Sequence, residues 1–287
     1  MYRNILILGR GIGQVLFQNN AASGGLMLIG IACNSWQLAI LSVLGTLLST
    51  MAASLFGYDK EDISNGLYGF NGTLVGIAIG VFWEINVISM LLLVSGSVLS
   101  VWIARLFRYQ SKLPGLTAPF ILAVWILLIG CYYLFPNLLL PSSSENSESA
   151  IEIIHSFSLS IGQVMFQGNT LSGLFFLLGI LINSRLNAVY AIIGAILPLF
   201  MILYPHTDLE TWNSGLLGYN AVLCAIALGN NTLKGGIQAV FSVMLSVVLQ
   251  IVGIQMGIVT LTAPFVVSVW ITMLFSSCIQ KQFLNEK

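Results

Sequence analysis

Charged residues are scarce in this 287-residue chain. Lys, Arg, Asp and Glu together make up 7% of it, whereas a soluble domain is normally about 25% charged. So small a polar surface cannot cover a water-soluble globule, and we expect the chain to lie in lipid. Basic and acidic residues number 10 each, and no basic patch stands out, which argues against a nucleic-acid partner.

Groups that commonly do chemistry are also few. The chain has four cysteines and two histidines. No two cysteines have C-x-x-C spacing, so neither a metal site nor a disulfide framework is predicted. No nucleophile and base stand in a recognisable arrangement, which makes a membrane enzyme the least favoured class. No cofactor is expected.

Long apolar runs fill most of the sequence. Hydrophobic residues make up 57% of it, and the mean hydropathy is +0.94. The runs are long enough to cross a bilayer of about 30 Å as helices, and they lack the strict alternation that a membrane-spanning barrel needs. The predicted fold class is an all-α polytopic membrane protein.

The apolar runs contain an internal duplication. Residues 11–35 and 160–184 are identical at 14 of 25 positions when aligned at an offset of 149. Unrelated apolar segments would share only a few positions. We therefore predict a first repeat at 1–136, a polar linker loop at 137–150 and a second repeat at 151–287.

Each repeat is predicted to cross the membrane five times. The glycine-broken runs 4–34 and 151–183 are too long for one crossing, so we interpret each as a re-entrant half-helix followed by a crossing helix. The other crossings are predicted near 36–57, 64–82, 86–105, 113–135, 187–204, 214–230, 235–254 and 258–280. The total is ten transmembrane helices plus two re-entrant half-helices, arranged as two inverted five-helix repeats.

The distribution of charge supports this opposed threading. With the N-terminus inside, the inner side receives all 10 basic residues, as the positive-inside rule requires. The outer side receives the acidic residues Glu145, Glu148, Glu152, Asp208 and Glu210. We therefore expect a multi-pass protein of the cell's inner membrane with both termini cytoplasmic, and a substrate site near the midplane between the repeats.

The first motif pair places Gln14 and Gln163 inside Gly-Gln-Val-x-Phe segments of the two broken runs. A lone membrane glutamine often bonds to a neighbouring helix. Because these two recur in glycine-bracketed breaks of both repeats, we favour a role in lining a pore.

The second and third motif pairs add rings and hydroxyl groups. Phe70 and Tyr219 each precede a leucine by four residues, Leu74 and Leu223, so each pair stacks on one helix face. Ordinary packing through the neighbouring glycines is the alternative interpretation. The run Leu-Thr-Ala-Pro-Phe occurs at both 116–120 and 261–265. Its prolines are expected to free backbone carbonyls, either at a site with the two threonine hydroxyls or at a simple kink.

The motifs supply oxygen acceptors and aromatic faces but no carboxylate, lysine or histidine. The suited permeant is small, flat, polar and uncharged, and its transport is expected to be passive. The alternative is a gradient-coupled transporter of a small polar solute that uses Glu84, which we interpret instead as an interfacial residue.

The sequence resembles the urea transporter family. The signature Leu-Pro-x-x-Thr-x-Pro-Phe stands complete at 113–120, its end recurs at 262–265, and the Gly-Gln-Val-x-Phe segments also match. The resemblance implies a homotrimer in which each protomer conducts urea down its gradient through its own pore. The implied pore residues are Gln14, Phe17, Phe70, Leu74, Thr117, Gln163, Val164, Phe166, Tyr219, Leu223 and Thr262.

The resemblance also assigns roles to these residues. Gln14 and Gln163 end two ladders of oxygens, and Thr117 and Thr262 lie midway. Phe17 with Phe70, and Phe166 with Tyr219, flank two urea slots, with Leu74 and Leu223 beside them.

The chain departs from the family pattern at three places. Some relatives have Glu where this chain has Gln163. Tyr219 stands where Phe is expected, so its hydroxyl could narrow or polarise one slot. Ile258 and Val259 replace Leu-Pro in the second copy of the signature, so the local bend there could differ.

Overall fold

The structure is a computed structural model that describes residues 2–110, 112–141, 152–203 and 208–285. The predicted linker loop at 137–150 lies outside the described residues from position 142 onward. So do Glu145 and Glu148, which the charge count assigned to the outer side.

The first repeat forms seven helices in its described part, and α4, with five residues, is much shorter than the others. Their bounds are α1 Tyr2–Gln14, α2 Ala21–Asn34, α3 Trp36–Leu55, α4 Lys60–Ser64, α5 Gly69–Phe82, α6 Val87–Gln110 and α7 Ala118–Leu134. A short 3-10 turn, Pro136–Leu138, follows α7.

The second repeat has a matching series of helices. Their bounds are α8 Ile153–Gly162, α9 Thr170–Asn183, α10 Arg185–Ile196, α11 Leu209–Asn213, α12 Tyr219–Leu228, α13 Leu233–Gln255 and α14 Ala263–Asn285. Two 3-10 segments, Gln163–Met165 and Leu197–Leu203, extend α8 and α10. Within the described ranges, all regular secondary structure is helical, apart from an isolated β-bridge between Trp83 and Leu139.

The two broken runs form two helices each, as the sequence predicts. The axes of the paired helices Ile153–Met165 and Thr170–Asn183 differ by 72°. The second helix of each run starts at an asparagine cap: Asn20 Oδ1 accepts from the backbone of Ala22 at 2.8 Å, and Asn169 Oδ1 accepts from Leu171 at 2.8 Å. These caps satisfy helix-end donors that would otherwise lack partners inside the bundle.

Helix length and composition identify a membrane protein. In the described part of the chain, α3, α6 and α13 are each long and apolar enough to cross a bilayer, and the bent pair α8–α9 could form a fourth span. Shorter apolar helices make up most of the rest. The all-α membrane class is thereby confirmed.

Four predicted crossings begin five residues later than expected. Those predicted at 113–135 and 258–280 start at Ala118 and Ala263, and the other two follow glycine turns. The crossing predicted at 64–82 starts at Gly69, and that predicted at 214–230 starts at Tyr219. In each case a glycine with positive φ, Gly66 at +76° or Gly215 at +72°, turns the chain just before the helix. Glycine adopts this conformation without a steric cost.

The two prolines of the repeated Leu-Thr-Ala-Pro-Phe run do not kink a helix. Pro119 and Pro264 are the second residues of α7 and α14. In the first turn a backbone N–H has no partner within the helix, so a proline there removes no helical hydrogen bond. The interpretation as a simple kink is therefore wrong, and the run instead starts a helix in each repeat. The carbonyls one turn back are not free either, because Gly115 O accepts from Ala118 N at 2.9 Å and Thr260 O accepts from Ala263 N at 3.0 Å.

Close glycine contacts hold the first repeat together. Helices α3 and α5 cross where Gly45 faces Gly72, and a side-chain carbon built on Gly72 would overlap Ser49 and the Gly45 carbonyl. Between the repeats, α2 packs against α9, and Ser172 donates a 2.7 Å hydrogen bond to the Gly30 carbonyl. Small residues let helix backbones approach this closely in membranes.

We expect Gly72→Ala to destabilise the protein strongly, because its methyl group would force α5 away from α3. The measurement is the thermal unfolding midpoint in detergent, and we expect it to fall by several degrees or folded protein to be lost. Gly130→Ala is the matched control: Gly130 lies in α7 with no heavy atom within 4 Å of the added carbon. Alanine there should be neutral or stabilise by about 0.5–1 kcal/mol. Equal midpoints for the two variants would contradict the glycine crossing.

Candidate functional site

The two motif glutamines make the same contact in both repeats. Gln14 ends α1, and its Nε2 donates to the Asn65 carbonyl at 2.9 Å. Gln163 follows α8, and its Nε2 donates to the Ser214 carbonyl at 3.2 Å. The turn before α5 thus holds the amide nitrogen of Gln14, and the turn before α12 holds that of Gln163. These bonds fix the position of each amide oxygen, which can act as an acceptor.

Each glutamine is followed three residues later by a phenylalanine in the left-handed conformation. Phe17 has φ 61° and Phe166 has φ 59°. The bonds Phe17 N to Gln14 O and Gln18 N to Gly13 O, both 3.0 Å, form a helix end at which glycine usually stands. A non-glycine residue there costs on the order of 1 kcal/mol or more. Its occurrence in both repeats indicates that the ring is required at this position.

These two rings reach across from one repeat to the other. The Phe17 ring lies edge-on to Phe265, with centroids 6.1 Å apart, and the Phe166 ring lies edge-on to Phe120 at 6.3 Å. Phe265 and Phe120 belong to the two Leu-Thr-Ala-Pro-Phe runs. The first and third motif pairs therefore meet through aromatic contacts, each formed between repeats.

The two threonines of those runs touch each other. Thr117 Oγ1 and Thr262 Oγ1 are 2.7 Å apart, and the residues are 2% and 1% exposed. Each threonine is preceded by a left-handed leucine, Leu116 with φ 48° and Leu261 with φ 49°. The strained turns bring the starts of α7 and α14 together, so their hydroxyls form one buried polar contact between the repeats.

Further matched hydrogen bonds fix the starts of α7 and α14. Asn71 Oδ1 accepts from the backbone of Phe120 at 3.1 Å, and Asn220 Oδ1 accepts from Phe265 at 3.1 Å. Two tryptophans join the repeats: Trp125 Nε1 donates to Val259 O and Trp270 Nε1 donates to Pro114 O, both at 2.8 Å.

A cavity of about 690 Å³ opens beside the first-repeat motifs. Four predicted pore residues line it: Gln14, Phe17, Phe70 and Thr117. Of the other predicted pore residues, Leu74, Leu223, Val164 and Tyr219 are buried, and Gln163 and Phe166 are partly buried. The cavity therefore brings together the Gln14 amide, two rings and Thr117.

An ion pair lies at the edge of the cavity. Asp62, in the short helix α4, pairs with Arg108 at the end of α6. Burial raises the pKa of the Asp62 carboxyl, and the nearby Arg108 guanidinium offsets only part of that effect. Asp62 lies three residues before Asn65, whose carbonyl accepts the hydrogen bond from Gln14.

The comparisons with known proteins agree with this motif pattern. The urea transporter family model matches residues 5–277. This chain belongs to the urea transporter family. It is similar to urea transporter 1 of Rattus norvegicus, at 34% identity over 240 residues, and of Mus musculus, at 32% over 240 residues. These alignments cover 77% of this chain and 61% of each relative, so the chain spans less than two thirds of those relatives' length.

Membership of the urea transporter family confirms the resemblance that the sequence motifs indicate. The family is one of transporters, not of enzymes. The individual pore assignments stay predictions. Among the ring contacts of the described residues, Phe166 meets Phe82 and Phe120 and does not meet Tyr219.

Sequence reasoning missed several residues on which the site depends. Asn71 and Asn220 end the second motif pair, and the matching of these amides between the repeats is a signal that they share a role. Trp125 and Trp270 also match between the repeats. Gln250, a lone amide in the apolar helix α13, lies outside every motif that the sequence analysis identified.

We expect Asn71→Leu to lower the thermal unfolding midpoint of the protein in detergent by several degrees. The substitution leaves the buried Phe120 N–H without an acceptor, which costs about 1–3 kcal/mol. Asn220→Leu should lower the midpoint similarly, because it leaves the Phe265 N–H without its acceptor. Asn34→Leu, at an exposed asparagine, is the control and should leave the midpoint unchanged. If Asn71→Leu proves as stable as this control, the asparagine does not hold the start of α7.

Proposed function

We propose that the chain conducts urea passively, in a channel-like manner and down the urea gradient, through a pore within each protomer. Membership of the urea transporter family supports this proposal, as do the names of the similar proteins, each called urea transporter 1. The proposed pore residues are those implied by the motifs, from Gln14 at one end to Gln163 at the other.

One observation carries the proposal: the contact between the Thr117 and Thr262 hydroxyls at the junction of the repeats. A threonine pair that only stabilised packing would not need a left-handed leucine before each member. In the proposed path, one glutamine oxygen and one phenylalanine ring lie on either side of this pair. The sequence of acceptors thus reads amide, hydroxyl pair, amide.

Urea matches this arrangement chemically. It is flat and uncharged, and it carries four N–H bonds and one carbonyl in a single plane. Acceptors along one side of a pore can replace the water that its N–H groups lose, while rings cover its faces. Each site should replace hydration closely without exceeding it, because tight binding would slow release.

Passive conduction is favoured over gradient coupling. None of the proposed pore residues is a carboxylate, a lysine, an arginine or a histidine, and buried ionisable groups are the usual means of coupling. Glu84, the candidate for coupling, is exposed beyond the end of α5, and its backbone N–H bonds to the Leu138 carbonyl at 3.2 Å. Glu84 is therefore not a buried ionisable group of the kind that coupling usually needs.

The proposed architecture has ten crossings and two re-entrant half-helices in two inverted repeats, 1–136 and 151–287, joined by the loop at 137–150. The matched caps, glutamine bonds and left-handed residues support the duplication. The placement of basic residues supports cytoplasmic termini in the cell's inner membrane. The homotrimer rests on resemblance to the family.

The proposal is tested by urea permeability of liposomes, followed by stopped-flow light scattering. We expect the protein to raise permeability above that of empty liposomes, and Thr117→Val with Thr262→Val to reduce it about tenfold. Each valine removes a hydroxyl while keeping a similar shape, and the loss of one hydrogen bond of about 1 kcal/mol or more changes a rate by that order.

A second threonine pair provides the matched control. Thr46 Oγ1 and Thr73 Oγ1 are also 2.7 Å apart and fully buried, but they lie between α3 and α5. Thr46→Val with Thr73→Val should leave urea permeability near that of the unchanged protein. If both double variants conduct alike, the Thr117–Thr262 pair does not line the path.

A further inference from the structure

The two repeats differ at three positions around the second-repeat end of the site. Tyr219, Gln250 and Thr260 stand there, where the first repeat has Phe70, Ala104 and Gly115. The match of Thr260 with Gly115 follows from the repeated Leu-Thr-Ala-Pro-Phe run that comes next. The match of Gln250 with Ala104 follows from aligning the buried faces of α13 and α6, which pairs Ser246 and Val247 with Ser100 and Val101.

In the first repeat, all three positions line the cavity. Phe70, Ala104 and Gly115 are each part of its wall, and each is partly exposed to it. The small side chain of Ala104 and the absence of one at Gly115 leave room beside the Phe70 ring. This space belongs to the same cavity that Gln14 and Thr117 line.

In the second repeat, the three larger residues bond to one another. Gln250 Oε1 accepts from Thr260 Oγ1 at 2.9 Å and from Asn220 Nδ2 at 3.1 Å. The Tyr219 hydroxyl donates to the Leu261 carbonyl at 2.5 Å and lies 3.3 Å from Thr260 Oγ1. Gln250 is 2% exposed and Tyr219 7%. The three side chains, here called the polar plug, therefore occupy the volume that is open in the first repeat.

The polar plug also changes what the site can offer to a solute. The left-handed turn at Leu261 presents its carbonyl next to Thr262, and the Tyr219 hydroxyl takes this acceptor. Phe70 has no hydroxyl, so it cannot make the corresponding bond to Leu116. Moving the plug aside would leave buried polar groups without partners, at about 1–3 kcal/mol each. The plug is thus stiffer than an apolar wall of the same size.

We propose that the polar plug of Tyr219, Gln250 and Thr260 determines size selectivity, by narrowing the second-repeat end of the path so that urea passes more easily than its N-methylated analogues. The inference rests on the proposed urea conduction. A plug with only a structural role would alter stability and would leave the ratio of permeabilities unchanged.

The test compares permeabilities to urea and to N,N′-dimethylurea in the same liposomes. The variant Tyr219→Phe with Gln250→Ala and Thr260→Gly gives the second repeat the residues of the first. We expect its dimethylurea-to-urea permeability ratio to rise about tenfold, since a pocket that excludes one carbon discriminates by about that factor or more. An unchanged ratio in this variant, once its folding is verified, overturns the proposal.

The reciprocal variant keeps the test decisive if the triple variant does not fold. Ala104→Gln introduces an amide into the open cavity of the first repeat and should lower the ratio, because it narrows that end as well. An unchanged ratio in Ala104→Gln also overturns the proposal. Urea permeability of the unchanged protein no higher than that of empty liposomes would overturn the proposed function itself, and the selectivity proposal with it.

Discussion

The hydrogen bond between Thr117 and Thr262 is the contact on which the rest of the structure depends. It forms only if α7 and α14 start at the same place, and each of those starts is held by several bonds. Asn71 and Asn220 hold the first-turn N–H groups, while Trp125 and Trp270 each bond to the backbone just before the other repeat's helix. Helix termini, rather than helix faces, therefore build the candidate site.

The backbone conformation at these helix termini carries an energetic cost. Four non-glycine residues, Phe17, Leu116, Phe166 and Leu261, adopt left-handed backbone, each at on the order of 1 kcal/mol or more. A helix break inside a bilayer core finds no water, so its backbone groups must bond within the protein. The asparagine, serine and glutamine side chains at the breaks supply those bonds. The polar residues of the motifs thus serve the fold and the candidate pathway together.

Much of the fold and of the candidate site could be predicted from the sequence, because residues that match between the two repeats are expected to share a role. The breaks in 4–34 and 151–183, the glutamine pair and the threonine pair all follow from the matching of two motifs. The role of Pro119 and Pro264 could not, since whether a proline kinks a helix or starts one depends on the backbone conformation of the preceding leucines. Gln250 was missed for a different reason: a lone amide in an apolar helix is usually a packing residue, and its meaning emerges only beside Tyr219 and Thr260. Where the repeats agree, the sequence indicates which residues share a role. Where they differ, the role of a residue follows only from its tertiary contacts.

The proposed movement of urea through this protein is not coupled to another gradient. Uptake of radiolabelled urea into liposomes, with and without an imposed proton or sodium gradient, tests it most directly. We expect internal urea to rise to the external concentration and to stop there under every condition. Accumulation above the external concentration that depends on either gradient would contradict it.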